Sequence, residues 1–212
     1  MNLFELQQWI EQDQVLLFHL KHKAKGTIRH LEKGKKCHVN PEKLLLVETG
    51  ILASCYQERD LIYALTPPRD YLRMSQPDTY VEALERTNYW EYDLNEVEAI
   101  FKSDALFTHL LLSLLQKEKR ILERQLFYAT HNVEEKMRYT LSSFLQLAVK
   151  LSYPQKSRQT DILFPKWFHL KLLARLVNAT TVSVSRALPS VAQQMNLETK
   201  TKPWRWRKPK EK

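Results

Sequence analysis

The side chains with the most distinctive chemistry lie close together, between Thr180 and Arg186. Thr181, Val182, Ser185 and Arg186 combine short hydroxyls, a branched aliphatic group and a guanidinium. On one helix face such a set suits the major groove of duplex DNA. An arginine can donate a pair of hydrogen bonds to guanine O6 and N7, and a valine methyl can touch the methyl of thymine. Thr180 and Ser183 are better suited to phosphate oxygens, because backbone amides at a helix start also favour anions. Lys200, Arg205 and Arg207 follow downstream and add cations for the same backbone. Singly, each of these residues reads better as a plain surface group. Their conjunction points to DNA.

Such a face needs a helix anchored from behind. Leu172, Leu173, Leu176 and Val177 give residues 170–177 a buried face, and Ala174 is small where a second helix must cross closely. Asn178 follows, a residue that tolerates the left-handed backbone needed at a corner. Thr180 is then the expected cap of the second helix, with Val184 and Leu188 turned to the core. Leu197–Lys202, returning through Trp204-Arg205-Trp206-Arg207, reads as a hairpin with rings inward and cations outward; the other reading is a frayed basic tail. Residues 155–168 read as a connector interrupted by Pro165.

Upstream, a long helix is expected from Ser103 or Asp104 to about Thr130, with Ser103 as its cap. Leu111, Leu115, Leu122, Leu126 and Ala129 form one stripe when Glu118 takes the intervening place. That stripe fits a helix packed on its own domain at the start and on a twin further along, or else a helix of an intrachain bundle. Asn132 and Glu135 make a capping box for the next helix, whose apolar face is Met137, Leu141, Phe144, Leu145 and Ala148 and which ends before Pro154. Residues 1–100 instead show strand-length apolar runs (44–47, 51–56 and 61–65) between Gly26, Gly34, Pro41, Gly50 and Pro67-Pro68, which predicts a small antiparallel barrel or sandwich. Helical spacing returns at 94–101.

Charge divides along the same line. Residues 1–100 hold 12 Lys and Arg against 16 Asp and Glu, net −4, whereas 101–212 hold 21 against 8, net +13. A basic half facing a polyanion is implied, without a choice between DNA, RNA and an anionic surface. Three glycines leave no Gly-rich phosphate loop. Cys37 and Cys55 are too few for a disulfide scaffold and read as reduced thiols. The start, MNLFELQQWIEQDQ, carries acids where a signal peptide is basic, and no apolar run is long enough to span a bilayer, so a cytoplasmic protein without a membrane partner is expected. No Gly-x-Ser-x-Gly, metal-spaced His/Cys set or paired-acid motif supports an enzyme.

The run Asn178-Ala-Thr-Thr-Val-Ser-Val-Ser-Arg186 resembles the G-x-[ST]-[RP]-x-[ST]-[VIT]-[SG]-R corner of the Crp/Fnr family of bacterial transcription regulators. The resemblance implies an α+β chain: a jelly-roll-like β-roll (1–102) similar to a cyclic-nucleotide-binding domain, a dimerisation helix (103–131) and a winged helix-turn-helix (132–212). It gives Arg186 the place of the recognition arginine, and Thr180 and Ser183 the phosphate-contacting hydroxyls. It also implies the docking geometry already established for a member of that family, with two recognition helices one DNA turn apart. Thr181 and Val182 stand where many members carry arginine and glutamate, which implies a different or looser target. Pro189 departs from the pattern as well and threatens to shorten or kink the helix.

The sensory half departs further. The Gly-Glu pair and Arg-Ser/Thr-Ala run that surround a cyclic phosphate in such domains are missing from Thr66–Tyr80, and Glu82 replaces an arginine before Ala83, where an acid would repel a phosphodiester. Two cysteines cannot ligate an iron–sulfur cluster of the oxygen-sensing kind. No cofactor is expected, and any effector is left unidentified. The chain thus resembles a family member with a degenerate sensory domain, like the virulence-regulator branch of low-GC Gram-positive bacteria. Its expected partners are a second copy of itself and duplex DNA with a two-fold site, and RNA polymerase is a candidate. The alternative from another class is a non-catalytic dimeric adaptor or RNA-binding protein that uses the basic half.

Overall fold

The structure is a computed structural model and describes residues 14–58, 60–74, 78–151 and 161–207; the N-terminal start, Pro154 and the residues after Arg207 lie outside that set. Two compact units divide the chain, Met1–Glu123 and Arg124–Lys212.

Among the described residues, the first in the chain form a helix that has no periodic signature in the sequence, α1 (Gln14–Lys23). Eight strands follow: β1 (Thr27–Leu31), β2 (Lys36–Cys37), β3 (Lys43–Thr49), β4 (Leu52–Tyr56), β5 (Leu61–Thr66), β6 (Tyr71–Arg73), β7 (Thr79–Ala83) and β8 (Thr87–Asp93). They form two four-stranded sheets in the orders β1-β8-β3-β6 and β2-β7-β4-β5, with antiparallel pairing throughout. This is the double-sheet, eight-stranded jelly roll. The continuous run Leu44-Leu45-Leu46-Val47 is explained by β3 being buried on both faces. Leu45 and Val47 join Leu52, Leu72, Val81, Ala83 and Tyr89 in one core cluster, while Leu44 and Leu46 join Leu16, Leu20, Val97, Phe101 and Leu110 of the helices in another. Alternate side chains point to opposite faces, so a strand covered on both sides shows no polar alternation. Gly50 turns the chain at φ +81, and a Cβ there would lie 2.6 Å from the Arg86 carbonyl oxygen.

Helix α2 (Leu94–Ser103) is capped by Asp93, whose carboxylate accepts from the amides of Asn95 at 3.0 Å and Glu96 at 3.2 Å. The Glu96 amide, with the Lys43 ammonium, holds the Asp93 carboxyl below the usual carboxylate range. The long helix does not begin at Ser103. Ser103 closes α2, its hydroxyl donating to the Ile100 carbonyl at 2.8 Å, and Ala105 takes the left-handed conformation (φ 57) before α3 (Phe107–Thr130) starts. Asp104 cannot serve as a start signal because its carboxylate is held by α1, 2.6 Å from Lys23 Nζ and 3.4 Å from His19 Nε2.

In the second unit, the last residues of α3 precede α4 (Val133–Leu151). The expected capping box is formed reciprocally: Glu135 N–H donates to Asn132 Oδ1 at 3.0 Å, and Asn132 N–H to Glu135 Oε2 at 3.1 Å. Met137, Leu141 and Phe144 are buried as expected, whereas Leu145 is half-buried. The connector reading of 155–168 is corrected over its described part. Residues 161–163 form β9 (Asp161–Leu163), and Phe164, Trp167 and Phe168 pack with Phe144 and Trp204 in an aromatic core. Helices α5 (Leu170–Val177) and α6 (Thr181–Gln194) come next, then β10 (Leu197–Glu198) and β11 (Arg205–Arg207). The strands order as β10-β11-β9. Among the described residues no helix is long and apolar enough to cross a membrane.

Candidate nucleic-acid interface

The corner between α5 and α6 is built by local rules. Asn178 ends α5 at φ 52, ψ 54, the left-handed region that tolerates asparagine. Its amide and that of Ala179 both reach the Ala174 carbonyl, which ties off part of the helix end. Thr180 is extended and caps α6, its Oγ1 accepting from Ser183 N–H at 3.1 Å. Behind the corner Leu172, Leu173, Ala174, Leu176, Val177, Val184 and Val191 are buried.

The face left outward is the one the residue types suggested. Thr181, Val182, Ser185 and Arg186 are all exposed, Val182 to 59%. At the α-helical turn per residue these four fall within an arc of about 140°. Arg186 makes no hydrogen bond or ion pair among the described residues, so its guanidinium is not committed elsewhere. Val182 thus adds an exposed branched aliphatic group beside the guanidinium on that arc. Ser183 is half-buried, and its hydroxyl lies 2.9 Å from Thr180 Oγ1; the two assigned phosphate hydroxyls are therefore one capping pair at the helix start. Leu188, expected inside, is half-buried.

Pro189 does not shorten the helix, which runs on to Gln194. Proline removes the amide that would reach the Ser185 carbonyl. Pro189 lies on the exposed side, so water can take that place.

The wing cations differ from one another. Lys200 is exposed in the turn between β10 and β11. Arg207 donates to Glu198 Oε2 at 2.8 Å, and Arg205 lies 3.9 Å from Asp161 Oδ2. Both pairs are partly exposed and weak enough to exchange for phosphate, yet each arginine already has a carboxylate beside it. The rings alternate with them: Trp204 is buried and Trp206 half-buried. Sequence reading missed Asp161 and Glu198 because strand pairing, not spacing, brings them there.

In the roll, β6 and β7 belong to different sheets. The expectation for Glu82 is corrected. Val81 and Ala83 point into the core, so Glu82 points to the opposite face, level with Lys36 and Ala53. Burial pushes the Tyr63 phenol up to about 12, with smaller contributions from neighbours that include the Glu118 carboxylate. Cys37 is half-buried and Cys55 buried, both as free thiols.

The fold recurs among solved structures. FixK2 from Bradyrhizobium japonicum superposes with a TM-score of 0.69 at 18% identity, over 87% of this chain and 93% of that one. A CooA mutant from Carboxydothermus hydrogenoformans gives 0.66 at 17% identity, over 93% of each chain. A putative transcriptional regulator of the Crp/Fnr family from Eubacterium rectale gives 0.61 at 14%, over 93% of this chain and 91% of that one. The chain has the Crp/Fnr-type fold. At these identities the likeness is one of fold. No family model and no curated protein matches the sequence.

Proposed function

We propose that this chain is a sequence-specific DNA-binding transcription regulator that acts as a homodimer. Its C-terminal part, 132–212, is a winged helix-turn-helix, with 1–102 as a sensory-type roll and 103–131 as the dimerisation segment. Helix α6 enters the major groove. Arg186 reads a base with Thr181, Val182 and Ser185 beside it, while Thr180, Ser183, Lys200, Arg205 and Arg207 meet phosphate. The observation that carries this reading is the outward arc of α6: an uncommitted arginine and an exposed valine on a helix fixed from behind by buried Val184 and Val191. The FixK2, CooA and Eubacterium rectale neighbours support it at the level of fold.

Self-association is supported by α3. Leu111, Leu115, Leu122 and Leu126 are 42%, 64%, 58% and 67% exposed, an apolar stripe along one helix. Such a stripe is the seam of a paired helix. The roll is proposed not to answer to cyclic nucleotides, since the Gly-Glu pair and the Arg-Ser/Thr-Ala run that surround a cyclic phosphate are missing from its sequence. Paired titrations of parent and Arg186→Ala on a selected duplex and a scrambled one test the reading. A loss confined to the selected duplex supports it; equal loss on both removes Arg186 from base reading.

A further inference from the structure

We infer that Arg124 is a positioning residue for the DNA-reading corner, a role that rests on the function proposed for α6. Arg124 lies in the last two turns of α3 and belongs to the same compact unit as the corner. Its Nη2 donates to the carbonyl of Leu176 at 3.1 Å, and its Nε donates to the Tyr128 hydroxyl at 3.0 Å. The guanidinium also sits 5.0 Å from the Tyr128 ring centroid. With the phenol oxygen accepting from Arg124, the phenol proton is free to go to Thr140 Oγ1, a buried hydroxyl on α4.

Leu176 is fully buried and stands two residues before Asn178, among the last carbonyls of α5. Such carbonyls have no amide of their own helix to accept from. The corner amides of Asn178 and Ala179 both go to Ala174, and Arg124 supplies a donor to Leu176 from outside the helix. A cation at a helix C-terminus also opposes the negative end of the helix dipole. One side chain thereby holds the end of α5 against α3 and α4, and with it the direction in which α6 leaves the corner. Leu126, the most exposed leucine of the α3 stripe, lies between Arg124 and Tyr128 in sequence. Only the Leu126 end of the proposed seam thus shares a compact unit with the reading helix.

The test uses the full chain and the variants Arg124→Met, Arg124→Lys and Tyr128→Phe. Two quantities are read: affinity for a selected and a scrambled duplex at several salt concentrations, and amide exchange at 178–183 relative to amides of α4. Arg124→Met is expected to lose selected-site affinity by about tenfold, as for loss of a charged hydrogen bond to a buried carbonyl. The salt slope should stay unchanged, because no phosphate contact is lost. Exchange at 178–183 should quicken while that of α4 does not. Arg124→Lys, which can still donate to Leu176, should recover most of both. Parental exchange and affinity in Arg124→Met overturn the inference. So does a slope shallower by about one unit with equal loss on both duplexes, the mark of a phosphate contact. If the parent prefers no duplex, the DNA-reading proposal fails, yet exchange at the corner still decides whether Arg124 holds it. If Arg124→Met does not fold, exchange in Tyr128→Phe decides: quickening at 178–183 supports the network and parental rates refute it.

Discussion

Arg186 and the wing cations should part company when each is removed. A bidentate arginine–guanine pair discriminates by about 1–3 kcal/mol, so Arg186→Ala should weaken a selected duplex by that amount and a scrambled one far less. Lys200→Ala should weaken both alike and make the salt dependence shallower by about one unit, as for one lost phosphate contact. Arg207→Ala should show a smaller change in slope than Lys200→Ala, because Glu198 already neutralises part of that guanidinium. Thr180→Ala should lower stability by about 1 kcal/mol in a thermal or denaturant melt, the usual cost of an N-cap. At this scale the sequence was most legible where the physics is local. Asn178 and Thr180 are set by backbone conformation within a few residues, and both stand as their types require. The partners of Arg205 and Arg207 were illegible, because register between strands brings Asp161 and Glu198 to them.

The elements carry a second set of expectations. Helix α6 contains Pro189 and still runs to Gln194, so the lost amide contact to Ser185 is a cost the surrounding packing overrides. Pro189→Ala should therefore raise the melting midpoint, by no more than the roughly 3 kcal/mol separating proline from alanine inside a helix. Unchanged or lower stability would show that proline stiffens the unfolded chain enough to offset that cost. On α3, Leu115→Lys with Leu122→Lys places like charges on the exposed stripe and should shift sedimentation towards monomer. Should the double variant remain a dimer, the seam lies elsewhere. Element types were readable where periodicity was strong, as in the capping box at Asn132 and the apolar faces of α4 and α5. The failures share a cause. Helix α1, strand β9 and the break at Ala105 are fixed by contacts distant in sequence: α1 by burial of Leu16 and Leu20 beside Leu44, β9 by pairing with β11, and the break by Lys23 and His19 on Asp104. No local pattern announces such contacts.

Over the whole molecule, an acidic roll of net −4 in residues 1–100 precedes a half of net +13, a distribution suited to one polyanion-facing part. Calorimetric titration with cyclic AMP and cyclic GMP should give no binding, and low-micromolar affinity for either would show that the roll holds a cyclic phosphate by other groups. Charge asymmetry made the basic half legible, but a winged helix and a nonspecific RNA binder share that charge; only the arc on α6 separates them. Selection of binding sites from randomised duplex DNA with the full chain measures that difference most directly. The expected result is enrichment of one two-fold-related motif, its half-sites centred about 34 Å apart, one turn of B-DNA, and containing a guanine whose replacement mimics the loss of Arg186. Recovery of unrelated sequences bound no better than random duplex would contradict sequence-specific reading by α6.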